Sequence, residues 1–74
     1  MLAVLANVRV GDRVVIDTRE EFYAYVDGWR GRVSVLGPAE ATARHYQVPG
    51  GYALVEADEG GALLVPLDQI RLSV

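Results

Sequence analysis

The chain has no cysteine and no lysine, and only one histidine. Without cysteine there is neither a disulfide framework nor a thiolate metal site. His45 stands between Arg44 and Tyr46 with no spaced partners, whereas a metal site draws on about three or four ligands. No metal and no cofactor are therefore expected. A basic surplus is also missing: seven arginines against ten carboxylates leave a net charge of −3. Nucleic-acid binders draw most of their non-specific affinity from neutralised phosphates, so this balance excludes a strongly basic, independent binder. It does not exclude a local basic face. Residues 1–32 hold five arginines against five carboxylates, and residues 33–74 hold two against five. That every basic residue is arginine hints at a GC-rich genome and carries no mechanism.

Long hydrophobic runs are absent too. Met1–Ala6 is apolar, but it is too short for the core of a signal peptide, lacks a basic start, and leads into Asn7 and Arg9. Nothing approaches the roughly 18 consecutive apolar residues that suggest a membrane helix. A cytoplasmic protein with no membrane contact is the expectation. There are no repeats, low-complexity tracts or linkers, so 1–74 reads as a single domain near the lower size limit for a self-sufficient core. An apolar content of 51% argues for a packed core and against disorder. It also exceeds what one small core needs to hide, which makes an oligomer an expectation.

What is present is strand signal. Val8–Asp17 reads as a first strand with a glycine kink at Gly11, and Thr18–Gly28 as a long loop crowded with charge and aromatics. Trp29–Leu36 is the second strand, with Trp29, Gly31, Val33 and Val35 on one face and Arg30, Arg32 and Ser34 on the other. Gly37–Gly51 is a second long connection, within which Ala39–Tyr46 could make at most one helical turn. Tyr52–Ala57 and Ala62–Val65 form a hairpin closed by Asp58-Glu59-Gly60-Gly61, whose glycines can take positive φ. Pro66–Gln69 suits a short 3₁₀ turn, and Ile70–Val74 a last strand.

This succession makes the chain all-β: five strands, two long loops, and a short 3₁₀ turn before the last strand. It resembles the SH3-like barrel over nearly the whole length. Val10-Gly11-Asp12-Arg13-Val14-Val15-Ile16 with Gly28-Trp29-Arg30-Gly31-Arg32-Val33 looks like the KOW type of small barrel, found in ribosomal proteins and transcription elongation factors. Fold likeness of this kind leaves function open, because small barrels host many activities. The layout Gly11-Asp12-Arg13-Val14, Trp29-x-Gly31, Gly51–Glu56 and Pro66 also resembles the plasmid-borne type II dihydrofolate reductases. In that family four barrels surround one pore, where a Val-Gln-Ile-Tyr run and a first-strand lysine meet folate and nicotinamide. Here the run is Ala62-Leu63-Leu64-Val65 and the lysine position falls on Ile16, so the resemblance extends to the fold and not to the activity.

No catalytic residues are assigned. Glu20 and Glu21 are adjacent and would point to opposite sides of an extended segment, and Asp58 and Glu59 suit a turn. Ser34, Ser73, Thr18 and Thr42 have no base beside them, and the Gly50-Gly51 and Gly60-Gly61 pairs punctuate turns without building a phosphate loop. The aromatics carry more interest. Phe22, Tyr23 and Tyr25 fall in the first long loop, Trp29 follows it, and Tyr46 lies in the second. Three aromatics in four residues cannot all point inward along an extended segment, while Trp29 shares the parity of Val33 and Val35 and so suits the core. With Arg30, Arg32 and Arg44, these aromatics make a candidate partner-binding set, able to grip an extended peptide or stack on bases. Leu63, Leu64 and Val65 belong to a run apolar at every position, where a strand with one wet face should alternate. Either Leu63 and Val65 enter the core and Leu64 faces outward, or the reverse. With Met1–Leu5, the run marks a candidate self-association surface. The expected function is an interaction module for a protein partner or itself, with no small-molecule substrate. Contact with RNA or DNA is the alternative.

Overall fold

The computed structural model describes residues 8–73. The Met1–Leu5 part of the expected interface and the end of the last strand at Val74 lie outside them. Five strands form one antiparallel sheet: β1 (Arg13–Ile16), β2 (Arg30–Leu36), β3 (Tyr52–Ala57), β4 (Ala62–Pro66) and β5 (Ile70–Leu72). Their order across the sheet is β4-β3-β2-β1-β5, so β4 and β5 are the edges. The edges are not paired with each other and the sheet is open. The expected all-β architecture is present, and strand number and order are compatible with an SH3-like fold. No helix among the described residues is long and apolar enough to cross a membrane.

The inner face follows from period-two burial. Val14 and Ile16 of β1, Val33 of β2, Ala53 and Val55 of β3, Val65 of β4 and Ile70 of β5 form one apolar cluster, joined by Val8 and Val26. Trp29 and Leu63 pack against it while half-buried. Gly31 lies in β2 opposite Ala57, where a side chain has no room: a β-carbon there would stand 2.9 Å from Val55 Cγ1 and closer still to the Glu56 carbonyl. The β3–β4 turn places Gly60 and Gly61 at φ of 105° and 87°, the region glycine reaches without strain.

Three local expectations are corrected. The first strand is shorter than Val8–Asp17, because the chain turns at Gly11 (φ 96°) before pairing begins at Arg13. The first long loop holds a 3₁₀ helix, η1 (Glu21–Val26), in place of extended chain. The face assignment of the second strand breaks at a bulge: Val33 opposes Val55 but Val35 opposes Leu54, so Ser34 is an extra residue. Val35 thereby leaves the core side, and Leu36 takes it up and packs on the cluster. The Ser34 hydroxyl donates to the Leu54 carbonyl at 3.2 Å across the irregular step. Ala39–Tyr46 forms no helical turn, within the expected limit of one; Ala39 and Val48 make an isolated antiparallel bridge that folds the 37–51 connection back on itself.

The candidate interaction surfaces

The outer face of the sheet carries two chemically distinct regions. The first lies over β5, β1 and β2. Arg13 is paired with Arg32 in register, and Val15 lies between Arg30 and Arg71, so four arginines share this face. Val15 is buried although it points away from the core; the stems of its two arginine neighbours are placed to cover it. Arg13 reaches the β3–β4 turn and donates two hydrogen bonds to Asp58, at 2.8 and 2.6 Å. These bonds hold the Asp58 carboxyl below its ordinary range, assisted by the charges of Arg13, Arg32 and Arg30. Arg71 pairs with Asp17 at 3.1 Å, and Arg32 donates to the Gly11 carbonyl at 2.7 Å. Arg30 makes no ion pair among the described residues.

The second region is apolar. Beyond the bulge, Val35, Leu54 and Leu64 share the outer side across β2, β3 and β4. The run in β4 resolves by alternation: Val65 is fully buried and Leu63 half-buried against the core, while Leu64 is 38% exposed. The folded 37–51 connection lies over this patch. Val48 is buried there, outside the main cluster. Two hollows open between the connection and the sheet and share Arg44, His45 and Leu54. One, of about 300 Å³, has Tyr46, Val48 and Leu64 in its walls; the other, of about 550 Å³, has Ser34, Val35 and Glu56. The side-chain Nδ1 of His45 is 2.6 Å from the Tyr46 carbonyl.

The η1 helix places the first-loop aromatics by its own geometry. In a 3₁₀ helix residues three apart eclipse. Tyr23 and Val26 turn inward, Val26 fully buried, while Phe22 and Tyr25 remain 75% and 70% exposed. Phe22 meets Tyr23 edge-on with ring centres 5.0 Å apart. The Tyr23 hydroxyl donates to the Leu64 carbonyl at 3.1 Å, covering an outward-facing group of the edge strand. Burial first, and then the neighbouring charges of Tyr52, Glu20 and Tyr25, push the Tyr23 phenol above its usual value.

The expected binding residues therefore fall into separate places. Tyr46 and Arg44 sit together in the groove, where Tyr46 is 91% exposed. Tyr23 abuts the same strand at Leu64 without lining either hollow. Arg30 and Arg32 belong to the arginine face, and Trp29 packs on the core. Sequence reasoning missed Leu54, Val35 and Val48. Leu54 alternates with Ala53 and Val55 and could have been found by parity; Val35 could not, because its parity changes at the bulge. Gln69 was missed as well. It is buried, accepts from the Thr18 hydroxyl, lies 3.4 Å from a Glu20 carboxylate oxygen, and its carbonyl takes the Asp17 amide, tying the first loop to the second 3₁₀ helix, η2 (Leu67–Gln69). The chain has no significant match among protein-family models, curated proteins or solved structures.

Proposed function

We propose that this chain is a non-catalytic interaction module built on an SH3-like barrel, and that it holds a segment of a protein partner in the groove between the 37–51 connection and β3–β4. The observation that carries this reading is the placement of Leu54 and Leu64. Both lie on the outer side of a sheet whose core is already complete beneath them, next to a buried Val48 and an exposed Tyr46. Contiguous outer apolar surface beside a polar rim is the usual mark of a partner site. A reductase-like activity draws no support: Ile16, at the lysine position of the type II reductases, is a core residue 1% exposed.

A second reading is favoured by the arginine face. Arg13, Arg30, Arg32 and Arg71 lie together, as a KOW-like module touching RNA or DNA would need. It ranks lower because Arg13 and Arg71 are each engaged by a carboxylate and Arg32 stands opposite Glu56.

Site-specific photo-crosslinking separates the two readings. With a benzophenone amino acid at Tyr46 or Leu64, a single protein adduct is expected in cells of origin, and none at Arg30. Nuclease-sensitive adducts at Arg30, with nothing at Tyr46 or Leu64, would overturn the groove reading in favour of nucleic acid. A self-adduct at Leu64 would make the partner a second copy.

A further inference from the structure

The smaller hollow inverts the charge of the chain around it. Ten carboxylates outnumber seven arginines overall, yet among the described residues no carboxylate lines this hollow and Arg44 does; the nearest acidic lining is Glu56 of the adjoining hollow. The Arg44 guanidinium makes no ion pair among the described residues. The floor under it is apolar, formed by Val48, Leu54 and Leu64. His45 adds to the polar side. Its Nδ1 lies 2.6 Å from the Tyr46 carbonyl, which can only accept, so Nδ1 is the donor there.

The dimensions restrict the occupant. A volume of about 300 Å³ admits one or two side chains. A helix, roughly 10–12 Å across, does not enter such a space. In an extended chain, residues two apart lie on the same side, roughly 6.5–7 Å from one another, so one can fill the floor while the other meets the rim. A guanidinium offers a planar fork that matches a carboxylate with two parallel hydrogen bonds.

We propose that the hollow receives an extended peptide segment of a protein partner carrying a bulky apolar residue with an acidic residue within two positions of it. The apolar side chain rests on Leu54, Leu64 and Val48, and the carboxylate pairs with Arg44. This rests on the groove reading above and adds the chemistry of the partner.

Panning the full chain against a library of random linear decapeptides tests it. Enriched sequences should hold Asp or Glu within two positions of Leu, Ile, Phe or Trp. Arg44→Glu, on an exposed loop position, should keep the amide spectrum of the fold, weaken an enriched peptide roughly tenfold or more, and select Lys or Arg in place of acids when panned itself. Leu64→Ala should weaken the same peptide while leaving the acid preference intact. Enrichment of apolar peptides without acids, or peptides indifferent to Arg44→Glu but sensitive to Leu64→Ala, would overturn the acidic partner and leave the groove reading standing. Failure to enrich any peptide, or enriched peptides indifferent to both substitutions, would remove the groove reading and this inference with it.

Discussion

At Gly31 the absence of a side chain is what lets β2 and β3 meet. A β-carbon would press on Val55 Cγ1 at 2.9 Å and on the Glu56 backbone, neither of which is a flexible chain end. Gly31→Val is expected to cost about 1–3 kcal/mol or more, read as a lower urea midpoint. Asp58 illustrates the opposite case, an exposed residue whose effect depends on pH. Its carboxyl is held below the ordinary range by the hydrogen bonds from Arg13, so the ionised form is favoured in the folded state. The stability this supplies is complete above the ordinary aspartate range, near pH 4, and is lost as pH falls through the lowered folded value. The difference in urea midpoint between the wild type and Asp58→Asn should therefore be largest near neutral pH and close in acid. Added salt should shrink it, since the pair is solvent-exposed. A difference that grows in acid would contradict the assignment.

Among the elements, η1 and the β2 bulge decide which side chains reach solvent. The eclipsed pairs of η1 predict a sharp contrast between neighbours. Val26→Ala should cost about 2 kcal/mol or more by loss of buried volume, and Tyr23→Phe about 0.5–1.5 kcal/mol by loss of the bond to Leu64. Phe22→Ala and Tyr25→Ala, both at exposed positions, should stay within about 0.5 kcal/mol. The bulge makes a parallel test. Val33→Ala is expected to cost about 2 kcal/mol or more and Val35→Ala under about 1 kcal/mol, although strict alternation gives them one role. Denaturant unfolding of the six variants checks both contrasts. These elements also mark where the sequence was legible. The β3–β4 hairpin could be read because alternation and a double glycine agree, and the 3₁₀ turn before β5 because Pro66 marks the strand's end, although Pro66 itself stays extended as the last residue of β4 and the turn begins at Leu67. The bulge was hidden because nothing in Val33-Ser34-Val35-Leu36 distinguishes an inserted residue from a continuing strand. The η1 helix was hidden because a single short 3₁₀ segment, rich in aromatics and capped by no side chain, carries neither a 3.6 nor a two-residue period.

For the molecule as a whole, the two outer regions follow from one sheet with two kinds of neighbour. Over β1, β2 and β5, the outward positions are four arginines around Val15, of which Arg13 is engaged by Asp58 and Arg71 by Asp17. Over β2–β4, beyond the bulge, outward positions are aliphatic and partly covered by the 37–51 connection. The separation of Tyr46 and Arg44 from Arg30 and Arg32 depends on that long connection, whose path no local pattern dictates; this is why the sequence named the residue types of the site without their grouping. The apolar surplus that suggested self-association is divided similarly: Leu63 and Val65 serve the core, and Leu64 alone of the three faces outward. The measurement that bears most directly on the proposed interaction is an amide chemical-shift titration of the labelled chain, with a peptide enriched by panning and separately with short single-stranded and duplex oligonucleotides, at low and physiological salt. The expected result is peptide-induced shifts confined to residues 42–48, 54 and 62–64, with oligonucleotide shifts absent at physiological salt. Oligonucleotide shifts at Arg13, Arg30, Arg32 and Arg71 that persist at physiological salt, with the groove silent to peptide, would contradict it.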